Sequence, residues 1–306
     1  MTRIVPASPE AIAEAARLLE SGRIAAIPTE TVYGLAADAT NGEAVAKIYA
    51  AKGRPSFNPL IAHVDGCSMA ARYAEISPLA RDLMRRFWPG PLTLVLPLKP
   101  DSRIAPIVTA GLSTIALRAP DHRIPRALIA ALGAPLAAPS ANKSGAITAT
   151  TAEHVAQAFG DEVAAIIDGG PTGHGLESTI VAVEEDSLRL LRPGPVTAAE
   201  LAEIAPVSAG GGKVEAPGML SSHYAPVKPL RLSANAAEDG EYLIGFADVA
   251  GDENLSARGD LAEAAANLFA ALHRADASAK SRIAVAAIPA EGLGAAINDR
   301  LRRAAA

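Results

Sequence analysis

A chain of 306 residues, half of them apolar, is long enough for two domains with sizeable cores. Its formal net charge of -5 argues against a dedicated nucleic-acid binder, and no stretch approaches the ~20 uninterrupted apolar residues of a membrane span. One cysteine, Cys67, leaves no intrachain disulfide, CxxC pair or cysteine-based zinc ribbon, and Pro6, Pro9, Glu10 and Glu14 stand where a signal peptide needs apolar residues, so a cytoplasmic location is expected.

Ser8-Pro9-Glu10 supplies a cap, a first-turn proline and an acid ahead of a predicted helix with Ile12, Ala15, Ala16 and Leu19 on one face, stopped by Gly22. Ile24 to Ile27 is short, apolar and closed by Pro28. It is predicted as a buried strand delivering Thr29 and Thr31 at its C-terminal end, where open α/β sheets bind ligands. Gly42 to Ala51 has Ala44, Val45, Ile48 and Tyr49 at helical spacing, which places Lys52 and Arg54 at or just beyond a helix end. Pro55 and Pro59 stiffen the loop on either side of Asn58. The two cations either offset the helix dipole or hold an anion; the residues alone leave both readings open. Residues 47 to 143 hold 13 Lys/Arg against 5 Asp/Glu, and residues 153 to 203 hold 2 against 10. The basic block around Lys52 and Arg54 is suited to drawing a phosphate-bearing ligand into a cleft, or is simply solvated surface.

Leu60 to Val64 reads as a second buried strand with His63 near its end, where a lone histidine is more often structural than functional. Ser77-Pro78 starts a helix to Phe87, and Trp88-Pro89-Gly90-Pro91 turns into strand Thr93 to Leu98. Strand Thr114 to Arg118 stops before Pro120, a pattern that predicts Arg118 at an element edge outside the core, able to clamp a carboxylate. Strand Leu136 to Ala138 runs into Pro139-Ser140-Ala141-Asn142-Lys143-Ser144-Gly145, a tight loop that suits a phosphate or merely makes turns. Thr150-Thr151-Ala152-Glu153 has capping-box spacing ahead of a helix to Phe159.

Strand Ala164 to Ile167 leads into Asp168 to Thr179, where four glycines in seven residues permit left-handed and close-approach backbone. This is neither a Walker A loop nor a GxGxxG fingerprint. Ile180 to Val183 and Leu188 to Leu191 are predicted as a hairpin with Arg192 at its exit, followed by helix Thr197 to Ile204. From Ser208 the periodicity stops, at Gly210-Gly211-Gly212 and Pro217-Gly218-Met219, which predicts a linker. Ser221-Ser222-His223-Tyr224-Ala225-Pro226 gives that linker an imidazole and a phenol, which suggests a segment that packs on something. Strand Tyr242 to Phe246, helix Asp260 to His273, strand Ile283 to Ile288 and helix Ala295 to Arg303 then alternate as a small Rossmann-like βαβα unit. The predicted organisation is a catalytic domain over 1–207, a linker and lid over 208–229, and a C-terminal domain over 230–306.

In this order, Pro28 to Leu35, Lys52 to His63, Phe87 to Pro91, Ser113 to Pro120, Ala138 to Asn142, Glu177 to Thr179, Leu191 to Gly194 and His223 to Pro226 closely resemble the YrdC family. With the linker and the ending Glu291 to Ile297 and Arg300-Leu301, the whole chain looks like the long form in that family, the threonylcarbamoyl-AMP synthases. The resemblance implies a twisted mixed-sheet α/β domain with a large concave basic cavity, a linker and a small Rossmann-like domain. It also implies ATP-dependent joining of L-threonine and bicarbonate into threonylcarbamoyl-adenylate with release of pyrophosphate, the first step toward threonylcarbamoyladenosine in tRNA. Mg2+ is then expected with ATP, and transferase machinery that modifies tRNA is the expected partner.

By matching motifs, Lys52, Arg54, Ser140 and Asn142 are implied as the polar cluster around the phosphates, with Asn58, Thr114, Thr148, Arg192 and Tyr224 as further ATP contacts. Thr31, His63, Arg118, Ala138 and Ser178 are the implied threonine pocket, Arg118 taking the carboxylate. Tyr224 makes the linker a lid. The rival is an RNA-binding module on the basic face; the acidic balance and the scattered five Phe, five Tyr and one Trp count against it, and no stable nucleic-acid or membrane binding is expected.

Overall fold

The computed structural model describes residues 4–210, 215–218 and 223–306; Gly211, Gly212, Met219, Ser221 and Ser222 of the expected linker lie outside the described residues. Strand β1 (Ile4–Pro6) precedes helix α1 (Pro9–Glu20), whose cap is Ser8, its hydroxyl accepting from the Ala11 N–H. Strands β2 (Ala25–Ile27) and β3 (Gly34–Asp38) flank the threonine-bearing turn, and α2 (Gly42–Lys52) starts on the Asn41 side chain. Gly53 ends α2 in the left-handed region at φ 61°, as its position after Lys52 requires. Then come β4 (Ile61–His63), a short α3 (Cys67–Ala70), α4 (Pro78–Phe87), β5 (Leu92–Pro97), β6 (Thr114–Arg118), α5 (Arg123–Leu132) and β7 (Leu136–Ala137).

Helix α6 (Ala152–Phe159) is capped by Thr151, one residue later than the predicted capping box, because the Thr151 hydroxyl accepts from His154 N–H. Strand β8 (Ile166–Asp168), the hairpin β9 (Thr179–Val183) and β10 (Leu188–Arg192), and α7 (Ala198–Ala202) follow. The predicted linker begins inside a strand, β11 (Val207–Ala209), which pairs parallel to β10.

One mixed sheet holds all eleven of these strands in the order β1-β8-β2-β3-β7-β4-β6-β5-β9-β10-β11. Parallel pairing of β4 with β6 sets His63 beside Arg118, and parallel pairing of β5 with β9 brings the Glu177–Thr179 segment alongside. The second sheet is parallel throughout. It contains β12 (Leu230–Arg231), β13 (Glu241–Gly245), β14 (Glu253–Asn254) and β15 (Arg282–Val285), in the order β12-β15-β13-β14, packed on α8 (Leu261–Ala277) and α9 (Leu293–Ala304). Its core also takes in Ile147, Leu176 and Tyr224 from outside the C-terminal unit. Burial of apolar side chains therefore ties the two halves together. No helix among the described residues is long and apolar enough to cross a membrane.

Candidate active site

The turn after β2 is fixed by one hydroxyl. Thr29 Oγ1 donates to the Val32 carbonyl at 2.7 Å, accepts from the N–H groups of Thr31 and Val32, and lies 2.8 Å from Thr31 Oγ1. A threonine making local hydrogen bonds suits a turn better than a strand, which is why the chain leaves the sheet here. Thr29 and Thr31 are both buried.

At the end of α2, Lys52 is buried and spends its ammonium on the backbone carbonyls of Ser140 and Asn142, pinning that loop against the helix. Burial, helped by the Arg54 charge, holds its pKa well below the usual lysine range. Arg54 turns back on its own proline-stiffened loop, donating from Nε to Asn58 O and from Nη2 to Pro59 O. Burial draws its pKa down to about 10. The Oδ1 atoms of Asn58 and Asn142 are buried without a hydrogen-bond partner among the described residues, as are both ring nitrogens of His63. Burial, then the Arg118 charge, keeps His63 neutral with its pKa well below the ordinary value.

Arg118 is the last residue of β6, yet it is only 3% exposed, so the predicted edge position outside the core does not hold. Two long-range contacts make burial of its charge possible. Nη2 pairs with Glu30 Oε1 at 2.5 Å and Nε donates to Gly90 O at 3.2 Å. Gly90 sits where a Cβ would come 2.4 Å from Phe87 O, so only glycine lets this turn present its carbonyl to Arg118. Burial pushes the Glu30 pKa up, but the Arg118 charge and hydrogen bond outweigh it and the net shift is downward.

On the other wall, Arg192 donates to the backbone oxygen and the hydroxyl of Ser178 at 3.0 and 3.1 Å, and Ser178 Oγ also meets Thr93 Oγ1 at 2.7 Å. Thr148 donates to Glu177 Oε1 at 2.6 Å, and Arg300 from α9 reaches Glu177 Oε2 at 2.9 Å. The Tyr224 ring lies against the Arg300 guanidinium, 5.3 Å from its carbon to the ring centroid, and against Phe269. Its hydroxyl is buried with no partner among the described residues. Burial, then the Glu177 charge, raises its pKa.

These groups border a cavity of about 40 Å3. Thr31, Arg54, His63, Arg118, Ala138, Ser140, Ser178, Arg192 and Tyr224, all singled out in the sequence, line it. Pro217, His223 and Tyr224 of the expected linker also border it, and the cavity is far smaller than the large concave one the resemblance implies. Lys52, Asn58, Asn142 and Thr148 are buried but do not line the cavity: Lys52 donates to the Ser140 carbonyl, the Asn58 carbonyl accepts from Arg54 Nε, Asn142 Nδ2 donates to the Ala146 carbonyl, and Thr148 donates to Glu177. Thr114 opens β6, paired with Pro97 at the strand end opposite Arg118, and does not line the cavity. Glu30, Glu177 as a charged group, and Arg300 were not among the sequence candidates. Arg300 carried a signal: it falls in phase with Ile297, Leu301 and Ala304 on the buried face of α9, where a charge needs a partner.

A family profile described as telomere recombination (Sua5, YciO and YrdC) matches residues 17–194, and one described as the threonylcarbamoyl-AMP synthase C-terminal domain matches residues 196–306. The chain belongs to the threonylcarbamoyl-AMP synthase family. It is 43% identical to the threonylcarbamoyl-AMP synthase of Bacillus subtilis, over 96% of this chain and 92% of that one. It is 40% identical to that of Pyrococcus abyssi, over 95% and 92%. The crystal structure of P. abyssi Sua5 complexed with L-threonine superposes with a TM-score of 0.90 at 36% identity, covering 99% of this chain and 98% of that one. Family membership thus extends over both domains, and the mixed sheet and small parallel sheet are those of its two-domain members.

Proposed function

We propose that this enzyme joins L-threonine, bicarbonate or CO2, and ATP into L-threonylcarbamoyl-AMP, releasing pyrophosphate. The observation that carries the reading is one cavity lined by three arginines: Arg118, paired across β4 and β6 with neutral His63, together with Arg54 and Arg192. The threonine carboxylate would pair with Arg118, leaving its amine to attack CO2 and form a carbamate. A carbamate oxygen would then attack the α-phosphorus as the bond to the β-phosphate oxygen breaks. No covalent nucleophile is called for; alignment and charge stabilisation by Arg54 and Arg192 suffice. Tyr224, His223 and Pro217 line the site, and closure of their segment over bound substrates would exclude water and protect a carbamate and a mixed anhydride from hydrolysis.

Magnesium is expected to enter only as part of the nucleotide. Glu30 and Glu177 are already spent on Arg118 and Arg300, and the described residues contain no cluster of metal-binding side chains. The carboxylates at the site, both paired with arginines, do not fit a protein-held metal. The product would pass to transferase machinery that modifies tRNA, in the cytoplasm. The RNA-binding alternative is disfavoured because Lys52, Arg54, Arg118 and Arg192 are all buried, out of reach of a phosphate backbone.

The deciding assay supplies ATP and radiolabelled bicarbonate with and without L-threonine, following pyrophosphate and labelled adenylate. Threonine-dependent release of both supports the reading. Absence of turnover together with salt-sensitive tRNA binding would transfer it to the RNA-binding alternative.

A further inference from the structure

Three arginines line the cavity, and they are held differently. Arg54 is held by the neutral carbonyls of Asn58 and Pro59. Arg192 is held by the Ser178 backbone and hydroxyl and by the Pro217 carbonyl. Arg118 alone of the three is paired with a carboxylate, Glu30. Resting on the threonine and ATP reading above, we propose that Glu30 decides which anion Arg118 accepts: it screens the guanidinium so that this subsite admits a singly charged carboxylate and rejects phosphate.

The geometry leaves room for a substrate. With Nε on Gly90 O and one Nη2 hydrogen on Glu30, the Nη1 hydrogens and the second Nη2 hydrogen remain, the end-on edge that pairs with a carboxylate. The physics separates the two anions. The cost of desolvating an ion grows with the square of its charge, whereas its attraction to the site grows only linearly. A subsite whose formal charges sum to zero offers hydrogen bonds to a carboxylate but too little attraction to strip water from a pyrophosphate. Arg54 and Arg192, uncompensated by any carboxylate in direct contact, keep that attraction. Glu30 does not line the cavity itself, so it acts through Arg118 as a positioning and charge-setting residue. Without it, a triphosphate could spread over Arg118 as well as Arg54 and Arg192 and displace the amino acid.

The test is calorimetric titration of the full chain with L-threonine in the presence and absence of inorganic pyrophosphate. Wild type is expected to bind both at once, with threonine affinity moved by less than about twofold. In Glu30→Gln, which keeps a hydrogen-bond acceptor but no charge, saturating pyrophosphate should weaken threonine binding by at least ~10-fold. Glu30→Asp, retaining the charge, should behave as wild type. Competition between the two ligands in wild type would overturn the inference without any variant, as would a folded Glu30→Gln that resembles wild type. Failure of wild type to bind L-threonine at all would instead overturn the functional reading and take the inference with it.

Discussion

Arg300 Nε donates to Glu177 Oε2 across 2.9 Å, so the last helix of the C-terminal domain neutralises a carboxylate buried in the wall of the catalytic cavity. Neither side chain meets solvent to any extent, with side-chain exposures of 0% and 6%. Burial would raise the Glu177 pKa, yet the charges of Arg300 and Arg192 carry the net shift downward, so the pair is ionic. Removing one partner strands the other. Arg300→Ala is expected to lower stability by about 3–5 kcal/mol, and Glu177→Gln on that background to restore part of it. Denaturant titration of the two single variants and the double reads the coupling; strictly additive effects would show that the pair does not hold the domains together.

Tyr224 separates packing from chemistry. Its ring packs on Phe269 and Arg300, and its hydroxyl has no partner among the described residues. Burial of an unsatisfied hydroxyl is costly unless a ligand takes it up. Tyr224→Phe should therefore keep stability within about 0.5 kcal/mol of wild type while slowing adenylate formation by about 10-fold. Tyr224→Ala, which also removes the ring from the second core, should lose both. A Phe variant with full activity would mean that the hydroxyl faces no substrate.

A second link between the halves is sensitive to pH. The His154 ring on α6 stacks on His273 of α8, centroids 3.8 Å apart, and His273 Nε2 lies 3.1 Å from the Thr148 carbonyl. Burial, then the neighbouring His273 and Arg274 charges, draws the His154 pKa down from 6.5 to about 4. The folded pKa lies below the unfolded one, so the unfolded state takes up the proton first. The stability contribution is complete above the unfolded value of about 6.5 and is lost as pH falls toward about 4. Because the ring is only partly buried, the loss should be on the order of 1–2 kcal/mol. His154→Phe keeps a stacked ring without the titration. Unfolding midpoints between about pH 7 and pH 4 should fall less in the variant than in wild type, and parallel curves would remove His154 from the account.

Much of the fold and half of the site were legible because they are local. Helix α2 with Lys52 as its last residue and Arg54 just beyond, the hairpin β9–β10 and the C-terminal alternation all follow from periodicity and terminators. Strand β3 has no counterpart among the expected elements, because Gly34-Leu35-Ala36-Ala37-Asp38 has no β-branched residue and is a strand only through its neighbours β2 and β7. Arg118 is legible as a strand-end cation but its burial is not: its partners, Glu30 and Gly90, lie 88 and 28 residues away, and no local pattern reports them. The buried carboxylates escaped notice for the same reason. The Ser140–Asn142 loop was open between phosphate binding and turn formation; the structure ties it to the Lys52 ammonium through its carbonyls, a contact invisible from either segment alone.

The glycine-rich run is by itself a weak signal in the sequence, and its structural use can be tested at one position. Gly175 has φ +67°, and a Cβ there would lie 2.4 Å from the Ala265 carbonyl and 2.5 Å from Ala266 Cα on helix α8. Neither obstacle is a flexible side-chain end. The loop approaches the helix backbone so closely that only a residue without a side chain fits, and the same loop donates from His174 N–H to the Glu30 carbonyl at 2.9 Å. Gly175→Ala must therefore push α8 away or distort the loop that supports Glu30, beyond the ~1 kcal/mol that a left-handed alanine costs by itself. Expected outcomes are a loss of about 2–4 kcal/mol in stability and faster proteolysis between the two domains. Gly173→Ala serves as the control, since a Cβ there meets nothing closer than 3.9 Å and its φ is not in the left-handed region. Equal behaviour of the two variants would show that the close approach of Gly175 to α8 contributes nothing to holding the domains together.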